Sequence, residues 1–254
     1  MLFDSHCHLT DERLRPDADA VVERARAAGV ERLVTVGADA EDWDDVVALA
    51  ERHDGVYAAA GVHPHIADHA TAEVLGRLRE LARHPRVVAL GEAGLDFHYD
   101  LSPRAAQRRA FAVQLALAAE LALPLIVHSR EADDETADVL RADGRHVRGV
   151  LHCFSGGRAL LDEALAAGWY VSFSGIVTFA KYEGADLVRA VPADRLLIET
   201  DSPYLAPVPV RGKRNEPAFV RHVAEGVARL RGQTLEEVAA LTRRNADTFY
   251  GLAA

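Results

Sequence analysis

Eight short apolar runs alternate with amphipathic segments along almost the whole chain, and this alternation limits the available folds more than any other feature. Runs that are apolar throughout are typical of strands buried on both faces of a parallel sheet. The repeated order of strand and helix therefore predicts a parallel α/β fold. The predicted strands are Leu2–His8, Arg32–Gly37, Val56–His63, Val87–Glu92, Pro124–His128, Val147–Cys153, Trp169–Phe173 and Leu196–Asp201.

Amphipathic helices are predicted after each of these strands, and a ninth helix follows near the end of the chain. Gly29 and Gly168 come directly after two of them, where capping glycines are common. Thr234, with Glu237 three residues later, predicts N-terminal capping of the ninth helix. The predicted helices are Asp17–Ala28, Asp42–Arg52, Ala72–Arg83, Arg104–Leu121, Glu131–Ala142, Ala159–Ala167, Gly184–Ala190, Pro217–Arg231 and Leu235–Tyr250.

Eight strand–helix units in 254 residues predict one (β/α)8 TIM barrel with an extra C-terminal helix. No linker-like or low-complexity stretch divides the sequence, so we expect a single hydrolase domain over residues 1–254. A doubly wound open sheet has the same alternation, because strand count alone does not demonstrate closure. The positions of polar residues at the strand ends distinguish the two folds.

Composition narrows the class of protein before any motif is considered. Hydrophobic residues make up 49% of the chain and charged residues 27%, as in globular proteins. No apolar run approaches the roughly 20 residues of a membrane span, and no secretory signal pattern is present. Two cysteines do not make a disulfide framework, so we expect a cytoplasmic protein. The net charge of -10 argues against binding nucleic acid through a broad basic surface.

The tripeptide His6-Cys7-His8 ends the first predicted strand. Successive side chains of a strand point to opposite faces, so His6 and His8 share one face about 6.6 Å apart. Cys7 then points to the other face, where it is expected to pack in the core. Two imidazoles on one face can bind the same metal ion.

Metal-capable side chains also end four further predicted strands. Active sites of (β/α)8 barrels lie at the C-terminal ends of the strands. One histidine at such a position is more often a hydrogen-bonded structural residue, but the recurrence at five strand ends favours a metal centre. Only a closed barrel brings the first strand beside the eighth, so convergence also favours closure. The further candidates are Glu92, His128, His152 and Asp201.

Six candidate ligands exceed the three or four protein ligands that one zinc-like ion takes. The sequence therefore predicts two divalent ions, each of them Mg, Mn, Zn or Co, since histidine with carboxylate selects weakly among these metals. Two adjacent ions can activate a water molecule and stabilise a leaving oxygen. We expect His6, His8 and Asp201 around one ion, His128 and His152 around the other, and Glu92 between them.

Two buried carboxylates are predicted below the ligands. Asp4 shares the face of His6 and His8, and Glu199 shares the face of Asp201. Carboxylates in such positions commonly accept hydrogen bonds from ligand imidazoles. We expect one or both of them to do so; an ordinary buried polar contact is the alternative.

Taken together, these motifs resemble the TatD-type metal-dependent deoxyribonucleases within the amidohydrolase-like barrels. The resemblance covers nearly the whole chain, and only Ala93 and His98 depart from residue types common in the family. It implies metal-dependent hydrolysis of DNA phosphodiesters, often from the 3′ end, with Asp201 as the proton acceptor and Glu92 as the other catalytic residue. The motifs are Asp4-Ser5-His6-Cys7-His8, Gly61-Val62-His63-Pro64-His65, Gly91-Glu92-Ala93-Gly94-Leu95-Asp96, Val127-His128-Ser129-Arg130, His152-Cys153-Phe154-Ser155-Gly156, Glu199-Thr200-Asp201-Ser202-Pro203-Tyr204-Leu205 and Arg211-Gly212-Lys213-Arg214-Asn215-Glu216-Pro217.

A DNA strand end is the expected partner, and its phosphates need local cations on an acidic chain. Two divalent ions supply four positive charges at the site itself. Arg130, Lys213 and Arg214 are predicted to contact flanking phosphates, and His63 and His65 to contact phosphate or act as acids. Few phosphate contacts predict a shallow salt dependence. Aromatic residues near the rim either stack on bases or pack in the core; they are Phe97, Tyr99, Phe154 and Tyr204.

Two other functions fit parts of this pattern. The same metals could hydrolyse a carbonyl substrate, such as a cyclic amide, a lactone or an aminoacyl ester. Glu92, at a strand end where many amidohydrolases carry a modified lysine, and the basic loop after the eighth strand favour a phosphate-bearing substrate. A non-catalytic metal-binding or scaffold protein would normally lack one or more ligands, and none is missing. No obligate protein partner or membrane association is predicted.

Overall fold

Eight parallel strands lie in sequence order in the computed structural model, which describes residues 1–252. Each strand pairs in parallel with the next. The strands are β1 (Leu2–Cys7), β2 (Val30–Gly37), β3 (Val56–Ala60), β4 (Val87–Asp96), β5 (Leu125–Arg130), β6 (Gly149–Leu151), β7 (Tyr170–Phe173) and β8 (Leu196–Ile198).

Backbone hydrogen bonds just beyond the strand ends join the last strand to the first. The amide of Asp201 donates to the carbonyl of His6 at 2.9 Å, and the amide of His8 donates to the carbonyl of Ser202 at 2.7 Å. Cys7 and Ser202 form a parallel bridge between these bonds. The sheet therefore closes into the predicted (β/α)8 barrel, and the open doubly wound sheet is excluded.

Helices follow the strands as predicted, with the ninth helix after the eighth unit. Gly29 and Gly168 each follow a helix with a positive φ, at 86° and 80°. The Thr234 hydroxyl accepts a bond from the amide of Glu237, whose side chain accepts from the Thr234 amide. The helices are α1 (Ala18–Ala27), α2 (Trp43–Arg52), α3 (Ala72–Leu81), α4 (Arg104–Leu121), α5 (Asp133–Ala142), α6 (Arg158–Ala166), α7 (Ala185–Ala190), α8 (Val220–Arg231) and α9 (Leu235–Tyr250).

Strand ends differ most from the sequence prediction, and they differ in both directions. β3 ends at Ala60, three residues before the predicted end at His63, and a 3-10 turn begins at Pro64. β6 and β8 stop before Cys153 and Asp201, whose φ angles of 44° and 55° lie outside the extended region. β4 instead continues past Glu92 to Asp96, so Glu92 lies within a strand.

The aromatic end of α9 covers the N-terminal end of the barrel strands. Phe249 and Tyr250 belong to a buried cluster with alternate strand residues such as Val34 and Val36. The ring of Tyr250 stacks on Phe3 at 5.8 Å, and its hydroxyl donates to the carbonyl of Ser5. The opposite, C-terminal end of the strands is left for the functional site.

Both cysteines are free thiols, as expected from their number. Cys7 is buried, and its thiol donates to the carbonyl of Val34 at 3.4 Å, which confirms a core position. No helix of residues 1–252 is long and apolar enough to span a membrane.

Replacing Gly149 by alanine is expected to destabilise the barrel by about 1–3 kcal/mol. A Cβ atom at this position of β6 would lie 2.3 Å from Cδ2 of Trp169. The buried indole would have to move, although its Nε1 donates to the carbonyl of Gly144 at 2.7 Å. Urea denaturation followed by circular dichroism measures the free energy of unfolding.

The matched control is Gly76→Ala in α3, where an added Cβ meets no atom within 4 Å. Removing a glycine from a helix interior should stabilise the protein by roughly 0.5–1 kcal/mol. Equal unfolding free energies for the two variants would contradict the packing described around Trp169.

Candidate metal centre

The carboxylate of Glu92 lies at the centre of the polar cluster at the C-terminal end of the barrel. Its Oε1 is 2.8 Å from Nδ1 of His128 and 2.7 Å from Nε2 of His152. Its Oε2 is 3.5 Å from Nε2 of His6 and 3.7 Å from Nε2 of His8. The two oxygens therefore face two different pairs of histidines, which is the arrangement expected of a carboxylate between two ions.

Asp201 completes the side of the cluster formed by β1. Its Oδ1 is 3.5 Å from Nε2 of His8 and 3.8 Å from Nε2 of His6. The backbone bonds that close the barrel hold it there, in a left-handed conformation that aspartate tolerates better than most residues. The structure thus brings together all six predicted ligands, while their binding of ions remains a prediction.

Electrostatics keep the carboxylates of this cluster ionised. Burial by itself would raise the pKa of Glu92, but the surrounding imidazoles, His152 foremost, hold it well below its usual range. Burial likewise opposes the lowered pKa of Asp201, and the interactions with His8, His152 and His6 together outweigh it. Two adjacent carboxylates with their charge intact, one buried and one partly exposed, provide a favourable place for cations.

The outer nitrogens of three histidines are held by hydrogen bonds to acceptors. Nδ1 of His8 donates to the carbonyl of Val36 at 3.2 Å. Nε2 of His128 lies 3.0 Å from Asp96, and Nδ1 of His152 lies 3.2 Å from Glu199. A proton on the outer nitrogen leaves the lone pair of the inner nitrogen free for a metal ion, as in other metal-binding histidines.

Whether the cluster fits metal ions can be judged from its donor atoms. Nε2 of His6 and Nε2 of His8 are only 3.0 Å apart and need a proton or a cation between them. Imidazole and carboxylate donors without thiolate suit the predicted divalent ions. Three sets of donor atoms lie within 4.8 Å of one another: His6 with His152 and Asp201, His6 with His8 and Glu92, and His63 with Glu92 and His128.

Protonation of the histidines competes with metal binding at this cluster. Interaction with Glu92 and Glu199 overcomes burial and raises the pKa of His152 well above its usual value. Burial also opposes the raised pKa of His128, which results from its bonds to Asp96 and Glu92. Metal binding must displace these protons, so metal affinity is expected to fall as the pH is lowered.

His63 lies in the cluster but has the wrong tautomer for a ligand. Its Nδ1 accepts a bond from the amide of His65 at 3.1 Å, which places the proton of the neutral ring on Nε2. Burial lowers the pKa of this ring to about 4, so it is neutral at physiological pH. Nε2 lies 3.2 Å from Glu92 Oε1, and an acid role for His63 is disfavoured.

Asp96 was absent from the predicted site, yet it is buried against two of the histidines. Its Oδ2 contacts Nε2 of His128 at 3.0 Å and Nε2 of His65 at 2.9 Å. Burial opposes the lowered pKa of Asp96, and the bond with His128 holds it down. Gly94 permits β4 to lie this close to β5, because a Cβ at Gly94 would lie 2.0 Å from the carbonyl oxygen of His128. Asp96 is four residues after Glu92, and residues separated by an even number on a strand point to the same face. This spacing was the sequence signal that could have placed Asp96 in the site.

The two carboxylates predicted below the ligands have different roles. Glu199 contacts His152, as predicted, and also accepts a bond from the amide of Cys153 at 2.7 Å. Asp4 does not contact an imidazole: it accepts bonds from the amide and hydroxyl of Thr200 at 2.8 and 2.6 Å. Asp4 therefore joins β1 to the segment after β8, which is the alternative of an ordinary buried polar contact, and of the two carboxylates Glu199 is the one that contacts an imidazole.

A cavity of about 690 Å³ opens above the metal cluster and contains several predicted substrate contacts. His65 and Arg130 both line it, as do the exposed rings of Tyr99 and Tyr204. The guanidinium of Arg130 lies 4.7 Å from the centre of the Tyr99 ring. The other two candidate stacking residues, Phe97 and Phe154, are buried and pack in the core.

The basic loop after β8 does not bring its predicted residues to this cavity. Arg214 forms an ion pair with Asp17 at 2.7 Å and donates to the carbonyl of Arg13. Of the residues that the structure describes, neither Lys213 nor Arg214 is among those lining the cavity. Arg211 of the same loop instead lines a neighbouring pocket, since the path of this long loop depends on contacts distant in sequence.

Comparisons with known proteins agree over nearly the full length of the chain. The family model described as TatD related DNase matches residues 3–251. The metal-dependent hydrolase YabD of Bacillus subtilis (strain 168) is 44% identical over 252 residues, covering 98% of this chain and 99% of that protein. The 3′-5′ ssDNA/RNA exonuclease TatD of Erwinia amylovora is 42% identical over 259 residues, covering 99% and 100%.

A solved structure also resembles the whole chain. The TatD homolog YjjV from Escherichia coli K12 superposes with a TM-score of 0.92 at 30% sequence identity. The match covers 99% of this chain and 98% of that one. Fold and sequence similarity therefore extend over the same residues.

Proposed function

The chain belongs to the TatD-related DNase family, and from that premise we propose that it is a metal-dependent hydrolase that removes nucleotides from the 3′ end of single-stranded DNA. The name of the 42% identical relative supports this substrate and polarity. One observation carries the proposal: the inner nitrogens of four histidines and the oxygens of Asp201 and Glu92 converge at the floor of an open cavity.

In the proposed reaction a water oxygen bonds to phosphorus while the bond from phosphorus to the 3′ oxygen breaks. Two divalent ions held by the six ligands would activate the water and neutralise charge on the phosphate. Asp201 takes the proton of the attacking water at a carboxylate oxygen, since it is ionised and lines the cavity. The departing 3′ oxygen takes a proton from solvent water, Asp201 returns its proton to solvent, and the products are a 5′-mononucleotide and a shortened strand.

The remaining residues of the cavity bind and orient the strand end. Arg130 is placed to form charge-assisted hydrogen bonds with a phosphate beside the scissile one. Nε2 of His63 lies 3.2 Å from Glu92 and His65 donates to Asp96, so both histidines contact carboxylates of the cluster. With a single arginine among the residues lining the cavity, we expect a shallow dependence of binding on salt.

The test is an assay of metal-depleted protein reloaded separately with Mg, Mn, Co or Zn. Substrates are single- and double-stranded DNA labelled at the 5′ or the 3′ end, with single-stranded RNA in parallel. We expect chelation to abolish activity and at least one metal to restore it. A 5′-labelled single strand should then shorten by one nucleotide at a time.

Two results would contradict the proposal. A restored enzyme that cleaves p-nitrophenyl acetate or a cyclic amide but no nucleic acid would indicate an acyl hydrolase. Release of label as a mononucleotide from the 5′ end, with the 3′ end intact, would reverse the proposed polarity.

Metal content measured by mass spectrometry should be about two ions per chain in the active form.

A further inference from the structure

A second pocket, of about 780 Å³, adjoins the cavity above the metal cluster. Ser155 and Ile176 line both spaces, so the two are neighbours that share part of their walls. The second pocket lies between the loops that follow β6, β7 and β8. Apart from the stacking candidate Phe154, whose ring is buried, none of the predicted ligands or substrate contacts is among the described residues that line it, and the proposed reaction leaves it without a role.

Charge is distributed unequally around the two spaces. Asp11, Asp39 and Asp42 line the cavity, on loops that follow β1 and β2. The second pocket is lined by Lys181 and Arg211, with Glu183 as its one acidic residue, so its charged residues sum to +1. A polyanion leaving the metal cluster is therefore repelled by the first set of loops and attracted by the second.

The cations of the second pocket are available for a ligand. Lys181 and Arg211 are exposed and form no ion pair with any residue from 1 to 252. The guanidinium of Arg211 lies 4.0 Å from the centre of the Phe179 ring, which orients its planar face. Arginine planes and aromatic rings are the surfaces on which unpaired bases stack.

Tyr182 adds a polar atom to this aromatic surface. Burial raises the pKa of its hydroxyl to about 12, so it remains a neutral hydrogen-bond donor. Within the described chain that hydroxyl has no hydrogen-bond partner, although the ring packs against the core. The pocket thus combines cations, a stacking surface and a free donor, which are the contacts that a nucleotide uses.

We propose that this pocket binds the nucleotide on the 5′ side of the scissile bond, with its phosphate on Lys181 and Arg211 and its base beside Phe179. The proposal rests on the proposed nuclease activity, because it assigns the path of the substrate strand. The 3′-terminal nucleotide occupies the cavity above the metal cluster, and the rest of the strand leaves through the second pocket. Binding there is independent of base identity, since stacking and phosphate contacts are common to all nucleotides.

The test compares a long and a minimal substrate in the metal-loaded enzyme. In the double variant Lys181→Gln with Arg211→Gln, kcat/KM for a thymidine decamer should fall about tenfold, mostly through KM. Turnover of bis(p-nitrophenyl) phosphate, which is too small to reach the second pocket, should not change. The slope of log(kcat/KM) against log salt should become shallower by about 0.7, because the double variant no longer neutralises this one phosphate of the single strand.

Arg109→Gln is the matched control, because Arg109 is exposed on α4 and lines neither space. A second measurement uses the unmodified enzyme and decamers with one abasic residue at successive positions. We expect the largest rise in KM when the abasic residue is next to the scissile bond on its 5′ side. Equal KM values for the double variant and the control, or an abasic series without such a maximum, would overturn the proposal.

Failure of the nuclease proposal gives a different result. In that case the unmodified enzyme leaves the decamer intact, whatever the state of the second pocket. Binding is then measured by the anisotropy of a fluorescein-labelled phosphorothioate decamer. A Kd raised about tenfold by the double variant alone supports the pocket, and identical Kd values for both variants refute it.

Discussion

Replacing Glu92 by glutamine is expected to lower kcat/KM by about 10³-fold, the largest effect predicted for this protein. The two oxygens of Glu92 face His128 and His152 on one side and His6 and His8 on the other. An amide of the same shape has neither the negative charge nor a second oxygen for these contacts. Kinetics on a 5′-labelled single strand and metal content per chain measure the effect together.

The control for this variant is Glu236→Gln, which removes an exposed carboxylate at the start of α9. It should leave both activity and metal content unchanged. Turnover by the Glu92 variant at a level near that of the unmodified enzyme would remove the two-metal mechanism. Loss of turnover with full metal content would instead assign Glu92 a role in the reaction other than holding the ions.

Replacing Asp96 by asparagine should weaken metal binding by about 10- to 100-fold. The carboxylate accepts from His128 and His65, and its low pKa keeps it charged. Asparagine retains one acceptor oxygen but loses the charge that supports the proton on Nε2 of His128. Calorimetric titration of metal-depleted protein with Mn measures the affinity, and an excess of metal should restore most of the activity.

A suitable comparison is Asp143→Asn, since Asp143 is exposed at the end of α5. Metal affinity equal to that of the unmodified protein in the Asp96 variant would show that the hydrogen bond to His128 does not tune the ligand. A fall in activity that excess metal cannot restore would place Asp96 in substrate binding, through its contact with His65.

Local sequence patterns were sufficient for the barrel and for the six candidate ligands. Apolar runs of strand length and capped helices depend on residues close together in the chain, so their order could be recognised. Strand alternation put His6 and His8 on one face, and closure followed from the need to place them near Asp201. The predicted strand ends were less accurate. At Cys153 and Asp201 the backbone becomes left-handed and leaves the sheet, and no glycine in the sequence indicates this change.

Contacts between residues far apart in sequence decided the surroundings of the ligands. Asp4 accepts hydrogen bonds from Thr200, which lies beyond β8, and contacts no imidazole. The carboxylate that contacts Nε2 of His128 is instead Asp96. The backbone amide of His65 determines the tautomer of His63, which no residue pattern contains. These assignments depend on which acceptor lies nearest each nitrogen, a question of three-dimensional distance.

Short-range periodicity was enough to predict the (β/α)8 fold and the six side chains at its C-terminal end, because it acts over a few neighbouring residues. The folded chain was needed to show that Asp96 contacts His128 and that Asp4 is bonded to Thr200. It was also needed to show that Arg211, not Lys213 or Arg214, lies beside the open site. Loop paths and hydrogen-bond partners could not be predicted, since they depend on contacts that form only when distant strands meet.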